Sequence, residues 1–538
     1  MQLVAQYLSV VPNTFLLAWG WRRRCLCCLS GALAAAALPP LGALFVLPLA
    51  FAGLVWLLDG ALDAGSHSRF ARFRVGFGIG WLFGFGYFLA SLWWIGSAFL
   101  VEADKFAWLM PFAVVLMPTG LALFTGLGVG AAAAVWSDRF SRILVLAATV
   151  TLADWTRGHV LTGFPWNAFG YTVSDSLLLS QIASVIGIYG MSFLVIAIAS
   201  ALALLADAKP LRARIVPVLA ALGVLGSLYG FGFVRLAMLP AAFSELDIRI
   251  VQPSIDQKDK WRPDLRDQIF QTYLHMSEAP LSGEARVGQQ RLIVWPESAV
   301  PFLLTQEPGA LYRIGNTLGP ASSLALGAIR TEPGADGPEY FNSIYVIGSG
   351  GTIEGLYDKV RLVPFGEYVP LKSLLDSFGI SNLAGPGSGF QAGYQPRLLS
   401  TSEGFSFLPL ICYEVIFPGP VRAGAGDPGF ILNVTNDAWF GRTPGPYQHL
   451  AQARIRSIET GLPLVRAANT GISAIVDGRG VIQQSLGIFE RGVIDGRVPL
   501  RLGQTIYGTF GDVPIVIISI GLVIFAYSSR RNRDSRVN

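Results

Sequence analysis

The sequence predicts a multi-span α-helical membrane protein, with about eight spans, that carries an inserted globular α/β domain. Three observations predict this. Of the 538 residues, 52% are hydrophobic and only 14% are charged, and the mean hydropathy is +0.51, a balance that suits a hydrocarbon environment. Long apolar runs fill the N-terminal part and return once near the C-terminus. Between them, residues 245–509 have the mixed polarity of an ordinary folded domain.

Apolar runs lie near 26–38, 41–58, 76–100, 108–135, 141–155, 178–205 and 214–236, and an eighth covers Val513–Tyr527. A bilayer core of ~30 Å needs about 20 helical residues, so the first and fifth runs are short and the count of seven N-terminal spans carries a margin of one. The chain therefore divides into a membrane domain (1–237), an inserted domain (245–509), a C-terminal span (513–528) and a basic tail (529–538). Basic residues set the orientation. Arg22–Arg24, Arg69, Arg72, Arg74, Arg139, Arg142, Lys209, Arg212, Arg214 and the arginines of the tail all fall on one side of the alternating spans, whereas the other side has Lys105 and Arg157, with Arg235 at a span edge. Both termini are expected in the cytoplasm and the 245–509 domain outside it, which for a bacterial inner membrane is the periplasm. The basic residues form no patch, so the formal charge of +5 does not suggest a nucleic-acid partner. No heptad or symmetric motif stands out from which an oligomeric state could be read, and a monomer is the working expectation.

In the inserted domain, strand character marks 247–253, 291–296, 323–329, 341–347, 406–412, 429–435 and 472–477. Many of these runs are continuously apolar, as in sheets buried on both faces. Helical stretches are expected near Asp264–Ser277 and Tyr447–Thr460, giving a layered α/β domain. There is no G-x-G-x-x-G or Walker motif, and with only His275 and His449 here neither a metal site nor a cofactor is expected.

Three polar residues interrupt apolar runs at expected strand ends: Glu297 in VWPES, Lys359 in YDKVRLVPFGEYVP and Cys412 in PLICYE. Taken singly, each has a bland explanation as a solvated loop acid, a surface lysine and a small core residue. Together they form an acyl-transfer set without histidine. A carboxylate takes the thiol proton, and an ammonium stabilises the thiolate and the oxyanion that develops on an acyl carbonyl. Placement at strand ends would bring the three to one edge of a sheet. The other cysteines, Cys25, Cys27 and Cys28, lie near the first span, so Cys412 has no partner in an oxidising compartment.

The segments VWPESAVP, YDKVRLVPFGEYVP and LICYEVIFP resemble the three signature segments of the nitrilase (carbon–nitrogen hydrolase) superfamily. The flanking spans, the loop TGFPWNAFGY (162–171) and NVTNDAWFG (433–441) are similar to the bacterial apolipoprotein N-acyltransferase branch of it. The resemblance covers nearly the whole chain. It implies an α-β-β-α sandwich with Glu297 as general base, Lys359 stabilising the oxyanion with the backbone N–H of Tyr413, and Cys412 as nucleophile. It also implies supporting or substrate-binding roles for Glu367, Tyr413, Glu414, Asn342 and Trp261. The loops Phe378–Phe390 and Trp439-Phe440 are expected either to line lipid entry or to pack on the domain.

The implied reaction is ping-pong. An acyl chain passes from a membrane phospholipid, phosphatidylethanolamine being the expected donor, to Cys412 as a thioester. It then passes to the α-amine of a diacylglyceryl-cysteine at an apolipoprotein N-terminus. Three alternatives stay open on the residues alone: a membrane-tethered amidase with the same triad, a transporter with a passive outer domain, and a Cys-His enzyme using His449. The span cores hold no acidic or basic residues apart from edge positions such as Asp154, which argues against the transporter.

Overall fold

The computed structural model describes residues 10–63, 68–280, 290–335, 337–370, 389–395, 397–419 and 426–537, with side chains to 530. The chain splits into two compact units, Met1–Met238 with Thr505–Asn538, and Leu239–Gln504.

In the first unit every expected apolar run forms helix. Six helices among the described residues are long and apolar enough to cross a membrane: Leu44–Leu62, Arg69–Leu100, Ala103–Ala134, Ala183–Ala206, Leu211–Met238 and Val513–Arg530. The two remaining runs form the helices Gly20–Ala35 and Ser141–His159. The first, of 16 residues, is shorter than the other six, and the second spreads Arg142, Asp154 and Arg157 along its length. Gly76, Gly80 and Gly84 recur every fourth residue along one face of Arg69–Leu92. A Cβ on Gly76 would stand 2.3 Å from that of Ala133, and one on Gly80 would stand 2.5 Å from that of Val129. This small-residue stripe lets two helix backbones approach, the usual basis of association where no hydrophobic driving force separates helix from lipid. Buried charge is also present. Arg157 pairs with Asp154 at 3.1 Å and donates to the carbonyls of Trp166 (2.9 Å) and Phe164, while Asp154 accepts from the backbone N–H of Phe169 at 3.1 Å. Arg142 lies 2.6 Å from Asp207 and 3.2 Å from Asp59.

The second unit holds two six-stranded sheets. The strands are β1 (Phe243–Gln252), β2 (Arg291–Trp295), β3 (Ser322–Gly334), β4 (Gly337–Ile347), β5 (Ile353–Asp358), β6 (Leu399–Ser400), β7 (Ser406–Ile411), β8 (Phe430–Thr435), β9 (Leu464–Ala468), β10 (Ser473–Val476), β11 (Ile482–Leu486) and β12 (Gly492–Pro499). Their orders are β12-β1-β2-β3-β4-β5 and β11-β10-β9-β8-β7-β6. The pairs β1-β2-β3 and β7-β8-β9 are parallel and the outer pairs antiparallel.

The continuous apolar runs follow from burial on both faces. In β2, Leu292 and Val294 meet Ile411, Leu432 and Val465 in the core between the sheets. Their neighbours Ile293 and Trp295 turn outward to Phe270, Tyr273 and Ile314 of the helices Arg266–Glu278 and Pro308–Thr317. Gly445–Thr460 packs against the second sheet at β9. The result is the α-β-β-α arrangement. Most of the expected loop Phe378–Phe390 lies outside the described residues.

Candidate active site

Glu297 leaves the end of β2 through a tight turn. Ser298 has φ of +48°, and the chain passes so close to β3 that a Cβ on Gly327 would sit 2.6 Å from the Glu297 Cα. Only glycine leaves room for that crossing. The Ala299 N–H donates to the Gly327 carbonyl at 2.7 Å and locks it. The Glu297 carboxylate accepts from Asn342 Nδ2 at 2.8 Å on one oxygen and from the Asn436 backbone N–H at 2.8 Å on the other.

Lys359 follows β5, and its backbone N–H donates to the Asn342 carbonyl at 2.8 Å. Its side chain is 1% exposed. The ammonium donates to Glu367 Oε1 at 2.8 Å and lies 3.7 Å from Glu297 Oε1. Burial opposes that charge, but the Glu367 and Glu297 carboxylates outweigh it and hold the Lys359 pKa above the ordinary lysine value. Asn342 joins the two acids, since its amide also donates to Glu367 Oε1 at 2.9 Å. The other Glu367 oxygen accepts from the Val363 N–H at 2.8 Å.

Cys412 is the first residue beyond β7 and has φ of +50°, a conformation that a non-glycine residue adopts only when its surroundings hold it there. Two groups hold it. On one side Glu414 accepts from the backbone N–H groups of Ile411 (2.8 Å), Val360 (2.8 Å) and Arg361 (3.0 Å) and from the Tyr357 hydroxyl (2.9 Å). One carboxylate thus fastens the turn after Cys412 to the loop after Lys359. On the other side His449 Nε2 meets the Cys412 carbonyl at 3.2 Å. His449 Nδ1 lies 2.9 Å from Asp437, which Arg466 contacts at 2.7 Å. Burial lowers the His449 pKa, with Arg466 adding to the effect. Burial would raise that of Asp437, but Arg466 and His449 hold it well below the usual carboxylate range. The Cys412 thiol is pushed up by burial and then by Glu297, while Lys359 pulls it down.

The structure therefore brings Glu297, Lys359 and Cys412 together, with Asn342, Glu367 and Glu414 around them. One expectation changes. The three do not meet on one edge of a sheet: β2 and β5 belong to the first sheet and β7 to the second, so the site is assembled where ends of both sheets meet. Tyr413 is buried, with its ring 5.0 Å from that of Phe417. Phe440 packs edge-on to His449 at 6.0 Å. Trp439 and Trp261 are exposed. His449 touches the Cys412 carbonyl and is saturated by its neighbours, which places it as a support for the turn.

Sequence reasoning passed over Lys260, Asn436, Asp437 and Arg466. Asn436 and Asp437 lie inside NVTNDAWFG, and Lys260 directly precedes Trp261. Their side chains are buried, and Lys260 donates to the Glu297 backbone carbonyl at 3.0 Å. Among the described residues no group of three His, Cys, Asp or Glu side chains could hold a metal ion.

Comparison with known proteins decides the family. Residues 30–201 match the apolipoprotein N-acyltransferase N-terminal domain, and residues 247–507 match carbon–nitrogen hydrolase. An apolipoprotein N-acyltransferase from Rhodopseudomonas palustris is 42% identical over 97% of this chain and 98% of its own. The chain belongs to the apolipoprotein N-acyltransferase family. A second apolipoprotein N-acyltransferase, from Agrobacterium fabrum, is 46% identical over 89% of this chain and 90% of its own. A Nesterenkonia AN1 amidase from the nitrilase superfamily, a solved structure, is 23% identical over 48% of this chain and 92% of its own, with a TM-score of 0.34.

Proposed function

We propose that this chain N-acylates apolipoproteins by a ping-pong reaction through a thioester on Cys412, with a membrane phospholipid as acyl donor. The observation that carries the reading is the joint placement of a carboxylate and an ammonium, Glu297 and Lys359, around one half-buried thiol. In the first half-reaction Glu297 takes the Sγ proton and the sulfur attacks the ester carbonyl. Lys359 and the Tyr413 backbone N–H stabilise the oxyanion. The C–O bond breaks, Glu297 returns the proton to the leaving oxygen, and a lysophospholipid departs. In the second half the α-amine of diacylglyceryl-cysteine attacks the thioester. The C–S bond breaks, Glu297 accepts the amine proton, and that proton returns to Cys412.

Glu367 and Asn342 hold Lys359 and Glu297 in register, and Glu414 ties the two loops. Trp261, Trp439 and Phe440 offer apolar surface to the lipid substrates. Phosphatidylethanolamine is the donor, the enzyme acts as a monomer in the bacterial inner membrane, and its catalytic unit faces the periplasm with both termini in the cytoplasm. The charge alternation of the span-connecting loops supports that orientation.

The test is an acyl-enzyme trap. Purified enzyme mixed with phosphatidylethanolamine should gain one acyl mass on the peptide containing Cys412, labile to hydroxylamine and absent in Cys412→Ser. An unchanged mass, or acylation elsewhere, refutes the mechanism. Small soluble amides acylating Cys412 as fast as the phospholipid would instead favour a tethered amidase.

A further inference from the structure

Two lysine side chains are fully buried in the catalytic unit among the described residues, and they differ in what meets them. Lys359 has two carboxylates within 4 Å. Lys260, 1% exposed, has none at ion-pair distance among the described residues. Its ammonium donates to the backbone carbonyl of Glu297 at 3.0 Å. A buried cation resting on one carbonyl is costly to keep, so its retention calls for a role. The ionisable side chains acting on it are Glu297, from the end of β2, and Cys412, from the end of β7.

We propose that Lys260 is a positioning residue for Glu297 and the second positive charge of the acyl-transfer site. The inference rests on the reading of Cys412 as nucleophile and Glu297 as base. Its first task is geometric. By binding the Glu297 carbonyl it fixes the turn in which Ser298 is strained, and hence the direction of the carboxylate. Its second task is charge balance. When the Cys412 proton moves to Glu297, a negative charge appears on sulfur and then on the substrate oxygen. The transfer moves that charge from Glu297 without changing the total, and Lys260 with Lys359 balances Glu367 and the relocated charge in a site where few solvent dipoles can do so. Burial brings the Lys260 pKa down to about 8, with Glu297 and Cys412 opposing. Lys359 stays charged throughout, and Lys260 is the one that loses its proton in mildly alkaline solution.

The experiment uses the full-length enzyme in phosphatidylethanolamine vesicles, unsubstituted and as Lys260→Met. Expected for Lys260→Met is a fall of about 10²-fold in the rate of thioester formation with the phospholipid KM unchanged. The Tm should stay within about 4 °C of the unsubstituted enzyme, because removing a buried charge offsets the lost hydrogen bond. In the unsubstituted enzyme the acylation rate should decline as pH rises through about 8, and Lys260→Met should lack that limb. Alkylation of Cys412 by iodoacetamide, followed by peptide mass, reads the thiolate without any lipid and should be about tenfold slower in Lys260→Met. Wild-type acylation and alkylation rates in Lys260→Met overturn the proposal. If that variant does not fold, an unsubstituted enzyme whose acylation holds steady or rises from pH 7 to 10 overturns it equally. Absence of any Cys412 thioester at any pH refutes the nucleophile reading instead, and alkylation then still decides the role of Lys260.

Discussion

Both units bury charge, and they bury it differently. In the membrane unit Arg157 and Asp154 pair with each other and bond the backbone of 164–169, and Arg142 is held between Asp59 and Asp207. The catalytic unit buries such pairs too, Arg249 with Asp495 at 2.7 Å among them, but at its active site the charges surround a thiol that none of them neutralises, and among the described residues one cation there rests on a carbonyl alone. Buried ion pairs by themselves therefore do not mark a reactive site. The mark is a set of charges among which a proton can move from thiol to carboxylate without changing the net charge.

The largest break in that comparison should come from Glu297→Gln. Both partners of the carboxylate are N–H donors, so the amide loses an acceptor as well as the charge. Thioester formation should fall by about 10²–10⁴-fold with the fold retained, as read by single-turnover acylation beside a thermal melt. Near-normal acylation would show that another group takes the thiol proton. The matching substitution in the membrane unit is Asp154→Asn. It leaves Arg157 buried with carbonyls as its partners and should cost about 3–5 kcal/mol of stability. Activity per folded molecule should be unchanged. Lost turnover without lost stability would move this pair from support to function.

Glu414→Gln tests the boundary between the two kinds of burial. Burial raises the Glu414 pKa while backbone N–H groups, that of Ile411 first, lower it; the rise wins, and the group is held in place by donors on both loops. The amide presents an N–H to one of those donors, so about 1–3 kcal/mol of stability should be lost. About a tenfold slower acylation should accompany it as Cys412 and Lys359 loosen against each other. Equal loss of stability with acylation unaffected would make Glu414 a fold residue only.

The strands that the sequence displays and those it conceals separate by position. Runs such as RLIVW and GFILNV are apolar throughout because sheet packs on one face and helix on the other. β5, β6, β11 and β12 are concealed because each is the edge of its sheet, half-covered and polar enough to read as loop (IEGLYD, IQQSL, GVIDGRVP). β9 is internal but interrupted by Arg466, whose side chain is buried with Asp437 and Asn433; a charge in a strand reads as surface until its partners are known. Glu297, Lys359 and Cys412 were legible because each breaks an apolar run where a strand ends. Lys260 was not, since its burial depends on a carbonyl 37 residues away, and nothing local in QKDKW distinguishes it from a solvated lysine. Glu414 drew a supporting role from the family resemblance alone, because its bonds to Val360 and Arg361 span more than 50 residues.

The smallest expected effect lies at the neighbour of Lys260. Trp261 is 46% exposed whereas Lys260 is 1% exposed, so one short segment turns a cation inward and an indole outward. Truncating an exposed side chain away from caps, pairs and cores changes stability by about 0.5 kcal/mol or less, and Trp261→Ala should melt with the parent. If the indole contributes apolar surface to lipid, as its amphipathic ring suits it to do, the KM for phosphatidylethanolamine should rise by a few-fold, about 1 kcal/mol of uniform binding, while the saturated acylation rate holds. A lower saturated rate at unchanged KM would instead mean that the ring acts through Lys260 on Glu297, and the two neighbours would then belong to one device.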